Sequence, residues 1–175
     1  MNPADVASAT LRKVTLRLIP FLFFLYIVAW LDRVNVGFAG LQMNAELGFS
    51  PAAFGFGSGV FFLGYCLFEV PSNLVLHRVG ARRWIARIMI SWGAISTGMM
   101  FVRTEPTFYV LRFLLGAAEA GFFPGVVYYL SHWYREGQRA RAIAAFMTAV
   151  PVSGAIGGPL SGALLTLNGS FGLAG

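Results

Sequence analysis

Residues 18–40 read LIPFLFFLYIVAWLDRVNVGFAG. The only charges in the run are Asp32 and Arg33. A helix of this length reaches roughly 35 Å at 1.5 Å per residue, enough to cross a hydrocarbon core of about 30 Å. The run is too long for a strand and lacks the period-two alternation of an outer-membrane barrel. It therefore reads as a transmembrane helix. Although Arg12, Lys13 and Arg17 precede it as they would a secretory signal, it is too long for one and holds two charges.

Four more stretches have the same character: 52–76, 84–102, 108–130 and 142–167. The expected fold is an all-α membrane protein with five transmembrane helices. Composition agrees. Of 175 residues, 57% are hydrophobic and 11% charged, against about 25% charged in a soluble domain. Seventeen phenylalanines are hard to bury in a water-soluble fold of this size, but a bilayer accepts them. The single cysteine, Cys66, lies in an apolar run and is read as packing.

The connections divide by charge. Arg12, Lys13 and Arg17 precede the first span. Arg78, Arg82, Arg83 and Arg87 surround the start of the third, and Arg135, Arg139 and Arg141 precede the fifth. Ten of the 13 basic residues thus fall on one side, which the positive-inside rule assigns to the cytoplasm. The expected organisation is a cytoplasmic N-terminal arm (1–17), a membrane domain (18–167) and a periplasmic segment (168–175) in the inner membrane. Asn168-Gly169-Ser170 opens a polar turn and also matches a glycosylation sequon. An odd number of spans ending in a polar segment reads as a fragment of a longer protein. The net charge of +6 comes from short clusters between apolar runs, a pattern that points to a membrane surface rather than nucleic acid.

Ionisable residues inside a bilayer cost several kcal/mol and are default functional candidates. Asp32, Arg33, Glu69, Arg112 and Glu119 lie well inside the spans. Asn35 shares a face with Asp32, and Tyr26 with Arg33. An arginine fork suits a carboxylate, and low dielectric favours the protonated form of a carboxyl group. The pair therefore suits an anion carried with a proton; the other reading is an internal ion pair that orients the helix. Arg112 and Glu119 are seven apart and share a face, with Gly116 between them. Glu119 reads as a proton site or as the partner of a salt bridge. Glu69, with Tyr65 and Asn73 one turn either side and Pro71 nearby, reads as gating or structural. Gly154, Gly158 and Gly162, with Pro159 among them, form a small-xxx-small stripe for close helix packing. Gly55, Gly57 and Gly59 do not form a dinucleotide loop, since no strand precedes them. His77 and His132 lack ligand spacing, and no residue set supports hydrolysis, a metal or a cofactor. The expectation is not an enzyme.

Four motifs, in order, resemble one family. Trp30-Leu31-Asp32-Arg33-Val34-Asn35 resembles a first-helix signature. Glu69 to Leu74, continuing through His77 to Arg83, resembles the loop between helices two and three. Arg112 to Pro124 resembles a fourth helix, and Gly154 to Gly162 a fifth-helix glycine–proline motif. The chain is similar to the N-terminal part of a major facilitator superfamily transporter, in the anion:cation symporter group of tartrate, phthalate, hydroxyphenylacetate and sugar-acid permeases. Two positions depart from the general superfamily loop: His77 stands where most members carry Asp, and Asn73 where many carry Gly.

The resemblance implies twelve helices in two six-helix halves, with helices one and four lining one cavity. It implies proton coupling at Asp32 and Glu119, the substrate carboxylate at Arg33, and Tyr26, Asn35 and Tyr65 as cavity residues. Glu69, Arg78, Arg82, Arg112, Gly154, Gly158, Pro159 and Gly162 take gating or structural roles. The function expected is proton-coupled symport of a small organic carboxylate by alternating access, with the coupling ion H+ and the fragment inactive without its C-terminal half. The competing readings are an organophosphate:phosphate antiporter and a non-transporting membrane sensor or scaffold.

Overall fold

A computed structural model describes residues 3–166. The segment 168–175, with Asn168-Gly169-Ser170, lies outside the described residues. Among those residues there is no strand. The helices are α1 (Pro3–Leu47), α2 (Pro51–Val79), α3 (Ala81–Gly98), α4 (Glu105–Glu119), α5 (Phe122–Trp133), α6 (Glu136–Met147) and α7 (Ala149–Thr166). A 3-10 turn, Met99–Phe101, closes α3. Two short breaks join α4 to α5 and α6 to α7, so five rods follow one another, as the five apolar runs predict.

Local chemistry sets the rod ends. Ser50 caps α2 by accepting the Ala53 amide at 3.0 Å, and Pro51 follows where no amide is needed. Thr104 does the same for α4, accepting the Thr107 amide. Gly80, at φ +90°, turns the corner between α2 and α3. Pro151 has no N–H for the Met147 carbonyl, and helical bonding resets there between α6 and α7.

Four stretches are long and apolar enough to cross a bilayer: Ser8–Phe38, Pro51–Val79, Glu105–Trp133 and Glu136–Ala163. α3 falls short of them because its α-helical part has 18 residues and includes Arg82, Arg83 and Arg87. The N-terminal arm expected at 1–17 is helical from Pro3 and continuous with the first span. Phe21, Phe24, Phe56, Phe62, Leu67, Ile90 and Phe101 are each more than half exposed. Large apolar side chains in this position belong against lipid tails. The chain is a multi-pass membrane protein.

The chain divides into two compact units. One contains α2 to α5. Here α2 and α4 approach backbone to backbone through glycines. A Cβ on Gly64 would fall on the Phe113 carbonyl, and one on Gly116 on the Phe61 carbonyl. Gly57 similarly makes room for the Phe108 ring, and Gly125 for Leu76. At one end, Phe49, Val102 and Phe108 form a core flanked by Leu47, Phe54, Met99, Tyr109 and Leu111. At the α2–α3 corner, Arg78 and Arg82 are exposed.

The other unit contains α1, α6 and α7. Tyr134 donates its hydroxyl to Thr15 at 2.9 Å, and the Tyr26 ring stacks on Phe146 at 4.5 Å. α7 meets α1 through a small-residue stripe, but in a register one residue from that of Gly154, Gly158 and Gly162. Ser153, Gly157 and Ser161 are buried, whereas Gly154 and Gly162 are exposed. A Cβ on Gly157 would meet Val34 at 3.3 Å and Leu31 at 3.4 Å, while one on Gly154 or Gly162 meets nothing within 4 Å. Gly158 touches the seam only through Phe38, at 3.8 Å. The two serines favour their register because each finds an acceptor on α1: Ser161 bonds Asn35, and Ser153 reaches the Ile27 carbonyl at 3.5 Å while also bonding Ala149 at 2.6 Å. Gly157→Leu is expected to cost about 1–3 kcal/mol of stability by overpacking, and Gly154→Leu less than about 0.5 kcal/mol. Thermal midpoints of the detergent-solubilised protein check this, and a larger loss for Gly154→Leu than for Gly157→Leu would place the seam on the other stripe.

Candidate functional site

In the unit of α2 to α5, the site is built around the end of α4. Arg112 and Glu119 sit two turns apart on the buried face of α4, 5% and 4% exposed. The Arg112 guanidinium lies over the Phe61 ring of α2, 4.9 Å from its centroid, where a cation gains from the ring's quadrupole. Glu119 is the last residue of α4. Immediately after it the backbone leaves the helix, with Ala120 at φ −54° and ψ 131° and Gly121 at φ +85°. The buried carboxyl therefore stands at a discontinuity in the middle of a membrane-length rod, where irregular backbone is tolerated only if protein or a water-filled cavity covers it.

The α2 residues named from the sequence lie along the same packing. Tyr65 is half-buried, its ring 6.3 Å from that of Phe61. Glu69 is half-buried as well. Ser72, which the sequence reading passed over, is 5% exposed and donates its hydroxyl to the Ala120 carbonyl at 2.7 Å. The Trp84 indole N–H in turn donates to Ser72 at 2.9 Å. A recognisable signal was present in Pro124, which has no N–H to offer the carbonyl four residues before it. His77 packs edge-on against Tyr128 at 4.2 Å, and Tyr128 against His132 at 4.5 Å. Among the described residues no group of three or more His, Cys, Asp or Glu is placed to hold a metal.

In the unit of α1, α6 and α7, the first-helix signature is half-buried from Leu31 to Val36. The Arg33 guanidinium lies 5.4 Å from the centre of the Trp30 ring. The indole N–H of Trp30 is buried and has no acceptor among the described residues. Two residues named as cavity candidates have packing partners here. Tyr26 is 8% exposed, stacked on Phe146 and edge-on to Trp30 at 6.3 Å. Asn35 accepts the Ser161 hydroxyl from α7. Both therefore hold the helix that carries Asp32 and Arg33. Pro159 is exposed on α7.

The sequence profile of the Major Facilitator Superfamily matches residues 22–175. A candidate tartrate transporter of Agrobacterium vitis is 58% identical over 98% of this chain, which covers 40% of that relative. The candidate metabolite transport protein NicT of Pseudomonas putida is 62% identical over 89% of this chain, covering 36% of its own length. In fold, the chain is similar to the crystal structure of a bacterial homologue of the human lysosomal transporter Spinster in an inward-facing, occupied conformation. That likeness has a TM-score of 0.79 at 23% identity, over 87% of this chain and 33% of the other. The chain thus spans about two fifths of the length of the two named relatives and a third of the Spinster homologue. They are named as transporters rather than enzymes, in agreement with the want of a catalytic set in the sequence. Membrane-length helices, intramembrane charges and a profile match over most of the sequence converge: this chain belongs to the Major Facilitator Superfamily.

Proposed function

We propose that the protein carrying this chain is a secondary active transporter that takes up a small organic carboxylate together with protons. The observation that carries this reading is the burial of Arg112 and Glu119, 5% and 4% exposed, on a helix that ends at a break in a membrane-spanning rod. Buried charges in such a place are expensive and are kept chiefly for function. The tartrate name of a relative at 58% identity supports the substrate class. In this reading Arg33 holds the substrate carboxylate and Asp32 and Glu119 take up protons from the periplasmic side. Neutralisation of these charges lowers the cost of closing the transport path away from water, and rocking against a second half then opens the path to the cytoplasm. The arginine clusters support a cytoplasmic N-terminus and a place in the inner membrane for this chain.

The test uses the whole protein in proteoliposomes, with tartrate as probe and the membrane potential clamped at zero. Each proton carried supports roughly tenfold accumulation per pH unit across the membrane. Wild type is expected to accumulate tartrate when the outside is acid. Glu119→Gln is expected to lose accumulation yet retain tartrate/tartrate exchange, because a neutral side chain still permits the loaded protein to reorient. Uptake independent of pH but dependent on internal phosphate would favour an antiporter. If neither tartrate nor a panel of other small carboxylates moves, the transporter reading fails and a sensor or scaffold takes its place.

A further inference from the structure

The break beside Glu119 is held by a directional hydrogen-bond relay. Pro124 has no N–H, so an unbroken helix would leave the Ala120 carbonyl without a donor. In hydrocarbon such an orphan costs several kcal/mol. The Ser72 hydroxyl of α2 supplies the donor at 2.7 Å. Its oxygen in turn accepts from the Trp84 indole of α3 at 2.9 Å. An indole N–H can only donate, so Trp84 occupies a Ser72 lone pair and leaves the hydroxyl proton to point at Ala120. Gly121 permits the approach, since a Cβ there would fall on the Ser72 hydroxyl, and its φ of +85° suits glycine. Three helices thus converge on one carbonyl, one residue along the chain from the buried Glu119.

We propose that Ser72 and Trp84 are positioning residues: their relay fixes the break at Ala120–Gly121 and thereby the place and proton affinity of the Glu119 carboxyl. This rests on the reading of Glu119 as a proton site. The relay acts through the backbone: it fixes the peptide from which the Glu119 side chain projects, and so the surroundings in which that carboxyl takes up a proton. A hydroxyl is required at position 72 and an N–H at position 84; size alone is not enough.

The experiment compares Ser72→Ala, Ser72→Thr, Trp84→Phe and Glu119→Gln in the whole protein. The first measurement is amide hydrogen exchange in detergent, which needs no substrate. Exchange across Gly121 to Val126 is expected to rise roughly three- to tenfold in Ser72→Ala and Trp84→Phe, the loss of one intramembrane hydrogen bond, and to return to wild type in Ser72→Thr. The second is the pH profile of tartrate uptake in proteoliposomes. Its midpoint is expected to move in Ser72→Ala and be restored in Ser72→Thr, with the KM for tartrate at acid pH within about twofold of wild type. A change in packing alone would lower the amount of active protein without moving the midpoint. If exchange at the break is unchanged in Ser72→Ala, the inference is overturned. It is equally overturned if exchange rises but the midpoint stays fixed while Glu119→Gln abolishes proton coupling. If Glu119→Gln keeps the wild-type pH profile, the proton-site reading falls with its positioning claim, and amide exchange still decides whether the relay holds the break.

Discussion

Gly116→Ala is expected to lower the stability of the folded protein by several kcal/mol, although it adds a single methyl group. In an exposed helix the same change stabilises, because alanine is a better helix former than glycine by up to about 1 kcal/mol. At Gly116 that gain is overwhelmed. The new Cβ falls on the Phe61 carbonyl oxygen and lies 2.9 Å from both the Phe61 carbonyl carbon and the Tyr65 amide nitrogen. All three are backbone atoms of α2, so no rotamer change relieves the overlap and the two helices must separate. Separation opens the seam that buries Phe61, Leu115, Arg112 and Glu119. Overpacking alone costs about 1–3 kcal/mol, and loosening the cover of two buried charges adds to it. Gly64→Ala should behave alike, since its Cβ falls on the Phe113 carbonyl. Gly93→Ala is the control, because nothing lies within 4 Å of the added carbon. Thermal unfolding of the detergent-solubilised whole protein gives the comparison. A Gly116→Ala midpoint equal to that of Gly93→Ala would show that the close approach of α2 and α4 is not what holds this unit together.

The rods were legible in the sequence because a bilayer leaves few choices. Long apolar runs must be helices, and Ser50-Pro51 and Thr104-Glu105-Pro106 mark helix starts by their own chemistry. Arg112 and Glu119 were legible as one face because seven residues make two turns, and both are buried. What the sequence left open was which side of a helix meets which neighbour. Two stripes of small residues, one residue apart, run along α7, and period four is the same in both. The choice between Ser153–Gly157–Ser161 and Gly154–Gly158–Gly162 depends on hydroxyl partners that α1 provides. For the same reason Tyr26 and Asn35 looked like cavity residues, while their partners, Phe146 and Ser161, are more than a hundred residues away in the chain. The mid-rod break was partly legible. Pro124 removes a donor for Ala120, but only the fold shows that Ser72 replaces it.

If Arg33 holds the substrate carboxylate as proposed, Arg33→Lys should raise the KM for tartrate by roughly 10- to 100-fold, the value of a charge-assisted hydrogen bond or two, and leave the maximal rate within a few-fold. Both side chains carry the same charge, so this change separates attraction from geometry. A guanidinium meets both oxygens of a carboxylate at once, whereas an ammonium acts as a point charge. The surroundings of Arg33 suit the planar group: it lies over the Trp30 ring at 5.4 Å, Trp30 is edge-on to Tyr26, and Tyr26 is stacked on Phe146. If Arg33 holds the substrate as proposed, this aromatic series would orient the guanidinium beforehand, so that less rotamer freedom is lost on binding. On the proposed function Trp30 would supply a second handle. Its buried N–H has no acceptor among the described residues, and a carboxylate held at Arg33 would give it one. Trp30→Phe keeps a ring under Arg33 and removes the N–H, so the KM should rise by a smaller factor, roughly three- to tenfold. Arg33→Ala removes charge and fork together and should leave no measurable uptake. Initial rates against tartrate concentration in proteoliposomes order the three variants. A wild-type KM in Arg33→Lys would mean that Arg33 acts through its charge alone, and the carboxylate would then have to find its two-point contact elsewhere, with Arg112 the next residue to test.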